Sequence, residues 1–318
     1  LRVLSWLVWC SWWALLLSGC LSGPDTPVTE KSPFLAPVPM ASVTDSRLEE
    51  VSGLVASRKN PGMLWVHNDS GNPPALYLLD SQAVVRAVYM VGEAQRDWED
   101  LTIGPGPIEG ETYLYMGDIG DNFTFHSWNY IYRFPEPTWA GAILADSGTV
   151  TALPDTIRQV DTLAFVYPDE QRDAETLLLD PTDTTLYLLS KEMSSINLYS
   201  LPYPQRTDSI AIAQHLLELP FDGENLLDRL VAGDISADGK ELLLKTYARV
   251  FYRARTSLDL AFADWITQPA DTLPYTAEPQ GEAVGFAADG SGYYTLSERG
   301  IGSELYLYFY PRQPVDAQ

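Results

Sequence analysis

Five short segments of this chain repeat one another, and that repeat restricts the fold more than any other feature. They are VSGLVAS (51–57), WEDLTIG (98–104), AETLLLD (174–180), GDISADG (233–239) and GEAVGFAADG (281–290). Each carries a polar or acidic residue near its start, then a short apolar stretch, then a turn. The turns (RKNPG, GPGPIEG, DPTDT, ADGK, ADGSG) hold the Gly, Pro, Asn or Asp that hairpins require. A second strand follows each turn: LWVHND, YLYMGD, LYLLSK, LLLKTY and YYTLSE. Third strands read as ALYLLD, YIYRFP, NLYSLP, VFYRAR and ELYLYFY, and fourth strands as VVRAVYMVG, DTLAFVYP and HLLELP. Short strands of Tyr, Val, Leu and Phe, repeating in fours with almost no helical periodicity, predict an all-β protein and specifically a β-propeller. A large β-sandwich is the rival fold. The first-strand anchors fall at Ser52, Glu99, Glu175, Asp234 and Glu282. Five blades are counted, and the long Glu99 to Glu175 interval leaves room for a sixth. The chain ends after a third strand, so residues around Ala41 to Asp45 are expected to supply the last fourth strand and close the ring.

The N-terminal segment has a different character. Residues 1–17 (LRVLSWLVWCSWWALLL) hold one charge, Arg2, before an apolar run. That run is about 15 residues, short of the roughly 20 needed to span a bilayer and suited to a secretion signal. It ends in Leu17-Ser18-Gly19-Cys20, which resembles a bacterial lipobox. The expected organisation is therefore a lipoprotein signal (1–19), a Pro/Ser/Thr-rich tether (20–40) from a lipidated Cys20, and a propeller domain (41–318). Leu21 is not the Asp that marks inner-membrane retention in some bacteria, which favours the outer membrane. The other cysteine, Cys10, lies inside the signal, so the exported chain has no partner for a disulfide.

Acidic residues outnumber basic ones by 43 to 20, a formal charge of −23. Such a surface repels nucleic acid and anionic membrane faces, leaving the lipid as the only membrane contact. A monomer is expected, with a small anionic ligand or an envelope component as partner. In a propeller blade, first-strand starts and second-strand ends emerge on one face, and the acidic motifs fall at those places. At first-strand starts stand Asp97 and Glu99, Asp173 and Glu175, Asp234, and Glu282; at second-strand ends stand Asn68 and Asp69, and Asp118, Asp121 and Asn122 of GDIGDN. Carboxylates crowded at a channel mouth need a cation or raised pKa values. Ca²⁺ suits an all-oxygen set, whereas His67, His126 and His215 on separate segments make a poor zinc set. Lys191, Lys245, Arg299 and His67 are the expected anion or substrate contacts, with ion pairing to the acidic ring as the alternative. For GDIGDN the alternative is an ordinary Asx-turn loop.

Taken together, WVHNDSG, DWEDL, GDIGDN, DAETLLLD and GEAVGF resemble a group of exported bacterial β-propeller proteins over most of residues 48 to 310. More loosely, through blade pattern alone, the chain resembles the phytase-like and the gluconolactonase/strictosidine-synthase-like propellers. That looser resemblance implies Ca²⁺ in or near the central channel, serving phosphoester or lactone hydrolysis. The matching positions are Glu99, Glu175, Asp234 and Glu282, with Asn68 and Asp118. The chain departs from those patterns at Ser52, where the gluconolactonase pattern has a glutamate, and lacks the acidic opening motif of the propeller phytases. Two functions stay open: a binding module whose ring is locked by Ca²⁺, and a Ca²⁺-dependent hydrolase.

Overall fold

The structure, a computed structural model, describes residues 32–141, 155–192, 195–220, 226–300 and 304–314. The expected signal and Cys20 lie outside the described residues.

Five antiparallel sheets form a closed ring. The first blade comprises Val51–Ala56, Met63–Asn68, Ala75–Asp80 and Val85–Val91. The second comprises Trp98–Pro105, Thr112–Asp118, Asn129–Pro135 and Asp161–Val166, and the third Ala174–Asp180, Thr185–Ser190, Ser195–Leu201 and Gln214–Pro220. Leu230–Ile235, Glu241–Thr246, Val250–Ala254 and Asp271–Thr272 make the fourth; Gln280–Phe286, Gly292–Glu298, Tyr306–Pro311 and Val38–Ser42 make the fifth. The innermost strands touch in sequence around the ring, and the fifth blade's meets the first's.

Alternation along each strand sends side chains to two different neighbours, so the apolar residues divide into one core cluster per blade–blade interface. Between the first and second blades, Val55, Trp65 and Leu78 meet Trp98, Leu114 and Met116. Between the second and third, Tyr115, Leu163 and Phe165 meet Leu177, Leu188 and Tyr199. The buried strand tyrosines Tyr77, Tyr115, Tyr132, Tyr187, Tyr199 and Tyr252, with Trp65 and Trp98, are thus packing residues.

Among the described residues there is no sixth blade, for which the sequence leaves room. The long interval holds the connection between the second blade's third and fourth strands, whose Asp155–Ile157 pairs in parallel with the outer strand of the first blade. The third blade does likewise, adding Ala211–Ile212 in parallel to the outer strand of the second. In the fourth blade the outer strand is only Asp271–Thr272, and a short helix the sequence reading did not anticipate, Phe262–Ile266, fills the rim with buried Phe262, Trp265 and Ile266.

The last blade is closed by Val38–Ser42, which pairs antiparallel with Tyr306–Pro311 (Val38 opposite Phe309, Ser42 opposite Tyr306). The domain therefore begins earlier than residue 41. Phe34 is 1% exposed, packed edge-on against Tyr252 and Tyr293. An apolar ring with that much surface to bury joins the core in spite of the prolines around it, and it takes the end of the expected tether with it.

Candidate metal centre

Every first strand carries the same irregularity. Its register against the second strand slips between Val51 and Gly53, Trp98 and Asp100, Ala174 and Thr176, Leu230 and Ala232, and Gly281 and Ala283. The skipped residue is a β-bulge, a device that re-aims a side chain where a sheet ends. It is Ser52, Glu99, Glu175, Val231 and Glu282 in turn. Three of the five bulges thus turn a glutamate toward the channel mouth, and all three glutamates are buried.

Around them the chain gathers further carboxylates. Oxygens of Asp69, Asp97 and Glu99 all lie within 4.8 Å of one another, as do oxygens of Glu99, Asp173 and Glu175. Glu99 belongs to both triads. Among the described residues no hydrogen-bond donor reaches its carboxylate; Ser52 fixes only its backbone, donating to the Glu99 carbonyl. Across the mouth Tyr247 donates to Glu282 Oε1 at 2.9 Å, while Glu282 Oε2 is buried without a partner. Lys191 forms an ion pair with Glu175 and lies 5.6 Å from the centre of the Tyr247 ring.

The electrostatics follow from this crowding. Burial pushes the Glu99 pKa well above the ordinary carboxylate range, and the charges of Glu175, Asp69 and Asp97 push it further. Glu175 is raised by burial despite Lys191, and Glu282 by burial despite Lys191 and the Tyr247 hydroxyl. Burial, with Glu282 and Asp97 nearby, lifts Asp69 to about 6. Burial, with Glu282 and Asp69, lifts Glu298 to about 8. For Lys191 burial opposes the charge, but Glu175 beside it holds its pKa above the ordinary value.

Other expected site residues go elsewhere. Asp118 accepts from Arg96 Nε at 3.2 Å, the Asp97 backbone N–H at 3.0 Å and the Tyr132 hydroxyl at 3.1 Å. Asp121 accepts the backbone N–H groups of Phe125 at 2.7 Å and His126 at 2.8 Å, and Asn122 is exposed. GDIGDN is therefore a self-satisfied turn, as the Asx-loop reading has it. Its contributions to the centre are Gly120, on which Glu99 and Asp97 rest, and the Asp121 backbone N–H, which donates to Asp173 Oδ1 at 2.9 Å. Asp234 is a correction to the repeat alignment: Val231 occupies the fourth bulge, and Asp234 lies three residues deeper, accepting the Phe286 N–H at 2.8 Å. Asn68 donates to the Arg47 carbonyl at 2.6 Å.

Of the expected anion contacts, only Lys191 reaches the ring itself. His67 and Lys245 pair with Gly53 and Ala232, each just past a bulge, and this shared register buries both one layer below the mouth. His67 stands edge-on to Trp98, and burial pushes its pKa down to about 4. Lys245 donates to the Gly281 and Thr246 carbonyls, and Arg299 to the Val43 carbonyl at 2.9 Å. Tyr247 is the ring residue the sequence reading missed. It follows the fourth blade's second strand where Lys191 follows the third's, so register would have found it where charge did not.

No family model matches the chain, and no curated protein does. Among solved structures, that of a luciferin-regenerating enzyme is similar, over 82% of this chain and 77% of its own, at 14% sequence identity and a TM-score of 0.41.

Proposed function

We propose that this chain is an envelope-anchored binding module whose channel-mouth carboxylates hold Ca²⁺. The observation that carries the reading is the pair of carboxylate triads sharing Glu99. A set of oxygens alone, with no imidazole or thiolate, suits a hard cation of flexible coordination, and Ca²⁺ accepts six to eight such ligands. The residues fit the ion. Asp69, Asp97, Glu99, Asp173 and Glu175 would hold it, and the unpartnered Glu282 Oε2 faces the same charge problem from across the mouth. Bound Ca²⁺ would supply positive charge that Lys191 alone does not. The anchoring rests on the lipobox at Leu17 to Cys20 and the polar stretch that separates it from the closing strand. Cys20→Ala should then release the exported protein from the membrane fraction.

Titration calorimetry on chelator-treated protein tests the cation site. Saturable binding is expected, with a rise in Tm of about 5 °C at a hundredfold excess over Kd. Neither heat nor a shift would sink the reading and leave a structural network balanced by Lys191. Hydrolysis of a phosphoester or lactone is the second reading. It is favoured by Asp69 and Glu298, which titrate near neutrality, where a general acid or base works. Turnover of either substrate class that chelator abolishes would establish it.

A further inference from the structure

On the same face as the ring, a cleft separates the loop after the second blade's second strand from the turn leading into the third blade. Its volume is about 360 Å³ including the open mouth, and His126, Ser127, Asn129, Tyr167, Asp169 and Glu170 line it. Three of these carry buried polar atoms without partners: His126 Nδ1, Asn129 Oδ1 and the Tyr167 hydroxyl. Asn129 is 3% exposed and Tyr167 9%. His126 Nδ1 stands 3.6 Å from Asp121 Oδ1, beyond hydrogen-bonding reach. A single orphan of this kind is costly and uncommon. Three of the residues lining this one cleft carry such an atom.

The charge of the lining narrows the ligand. Arg172 is spent on Asp169 at 2.6 Å, Glu170 at 3.0 Å and Glu192 at 2.7 Å, so it offers an anion no uncommitted counter-charge, and it holds these acids in ion pairs. The three orphan groups are a hydroxyl, an amide and an imidazole, which between them donate and accept. Their natural complement is a set of hydroxyl groups, which also do both. The loop that supplies His126 and Ser127 adds apolar surface. Phe123 and Phe125 are 74% and 80% exposed and stacked on each other at 5.6 Å, and Trp128 is 44% exposed. Aromatic faces left in water beside a hydroxyl-matching cleft suit a ligand with one apolar C–H face and a polar rim. We propose that this cleft is a carbohydrate-binding site that takes one pyranose ring, independent of the cation at the channel mouth.

The test is calorimetry and Trp fluorescence on the whole exported protein, with methyl glycosides of glucose, galactose, mannose and N-acetylglucosamine as probes, in chelator and again in Ca²⁺. At least one probe should bind saturably in both. Tyr167→Phe should weaken it about tenfold, the cost of one hydrogen bond. Because that hydroxyl has no partner in the free protein, Tm should stay level or rise. Phe125→Ala should weaken binding with Tm unchanged, since the ring is exposed. Absence of binding by every probe overturns the proposal. So does binding that neither variant alters or that chelator abolishes, which would place the sugar in the ring. Retention on lipid vesicles through Phe123 and Phe125, without sugar binding, overturns it in favour of a membrane contact.

Discussion

Glu99 is 3% exposed, shares its surroundings with Asp69, Asp97, Asp173 and Glu175, and receives no donor at its carboxylate from the described residues. Its negative charge is tolerable only if protons or a cation offset the ring. Asp69 at about 6 and Glu298 at about 8 show where the protons leave. A carboxyl whose pKa is raised on folding holds its proton more tightly in the folded chain than in the unfolded one. Stability from such a group is full below the unfolded value, near 4, and is lost as pH rises through the folded one. Chelated protein should therefore lose Tm steadily between pH 5 and pH 8, and saturating Ca²⁺ should flatten that slope by competing for the same oxygens. Glu99→Gln replaces one carboxylate oxygen with an amide nitrogen and removes one charge. At pH 8 it should raise the chelated Tm by a few degrees and abolish the Ca²⁺-dependent rise, both read by scanning calorimetry. A lower Tm in chelator and an intact Ca²⁺ response would make Glu99 a scaffold residue instead.

The element that builds the centre is a bulged inner strand packed against a glycine. Gly120 lies so close that a Cβ there would meet Glu99 Oε1 at 2.1 Å and Asp97 Oδ2 at 2.6 Å. Gly120→Ala should push both carboxylates aside and weaken Ca²⁺ about tenfold. The Tm in chelator should move little, because the displaced atoms are the ends of flexible side chains. Unchanged affinity would show that the two carboxylates do not share the ion. Strand order, turns and blade count were legible in the sequence because they rest on alternation and on turn residues. The bulges were not, because an extra residue leaves composition untouched. That is why Asp234 reads as the partner of Glu282 when Val231 holds the position. Charge also outweighs register in the sequence: Lys245 stands out, whereas Tyr247, two residues on, faces the ring. GDIGDN misleads for a related reason, since carboxylates that cap local N–H groups have the same spacing as ligands.

At the scale of the whole molecule, the problem is to hold a ring of sheets shut without a covalent bond. Both cysteines, Cys10 and Cys20, precede the described domain. Closure depends on residues 34–42 returning to the fifth blade, whose other strands are about 240 residues or more away, and loops of that length carry a substantial closure entropy. Opposing that cost are the pairing of Val38–Ser42 with Tyr306–Pro311 and the seating of Phe34 between the fourth and fifth blades. Arg312 lies 4.7 Å over the Phe34 ring and binds Glu241 of the fourth blade at 2.9 and 2.6 Å, joining the three segments. If this junction closes the ring, Phe34→Ala should cost about 3–5 kcal/mol, the range for emptying a buried aromatic site, and lower the urea midpoint accordingly. Removing residues 1–43 should do more. It leaves the Tyr306–Pro311 edge unpaired, an open template for other chains, so aggregation is expected as well as loss of stability. The domain begun at residue 32 should stay monomeric under the same conditions. If the chain begun at residue 44 is monomeric in light scattering with an unchanged midpoint, the five sheets are held by their interfaces alone. The closing strand would then add nothing to the stability of the ring.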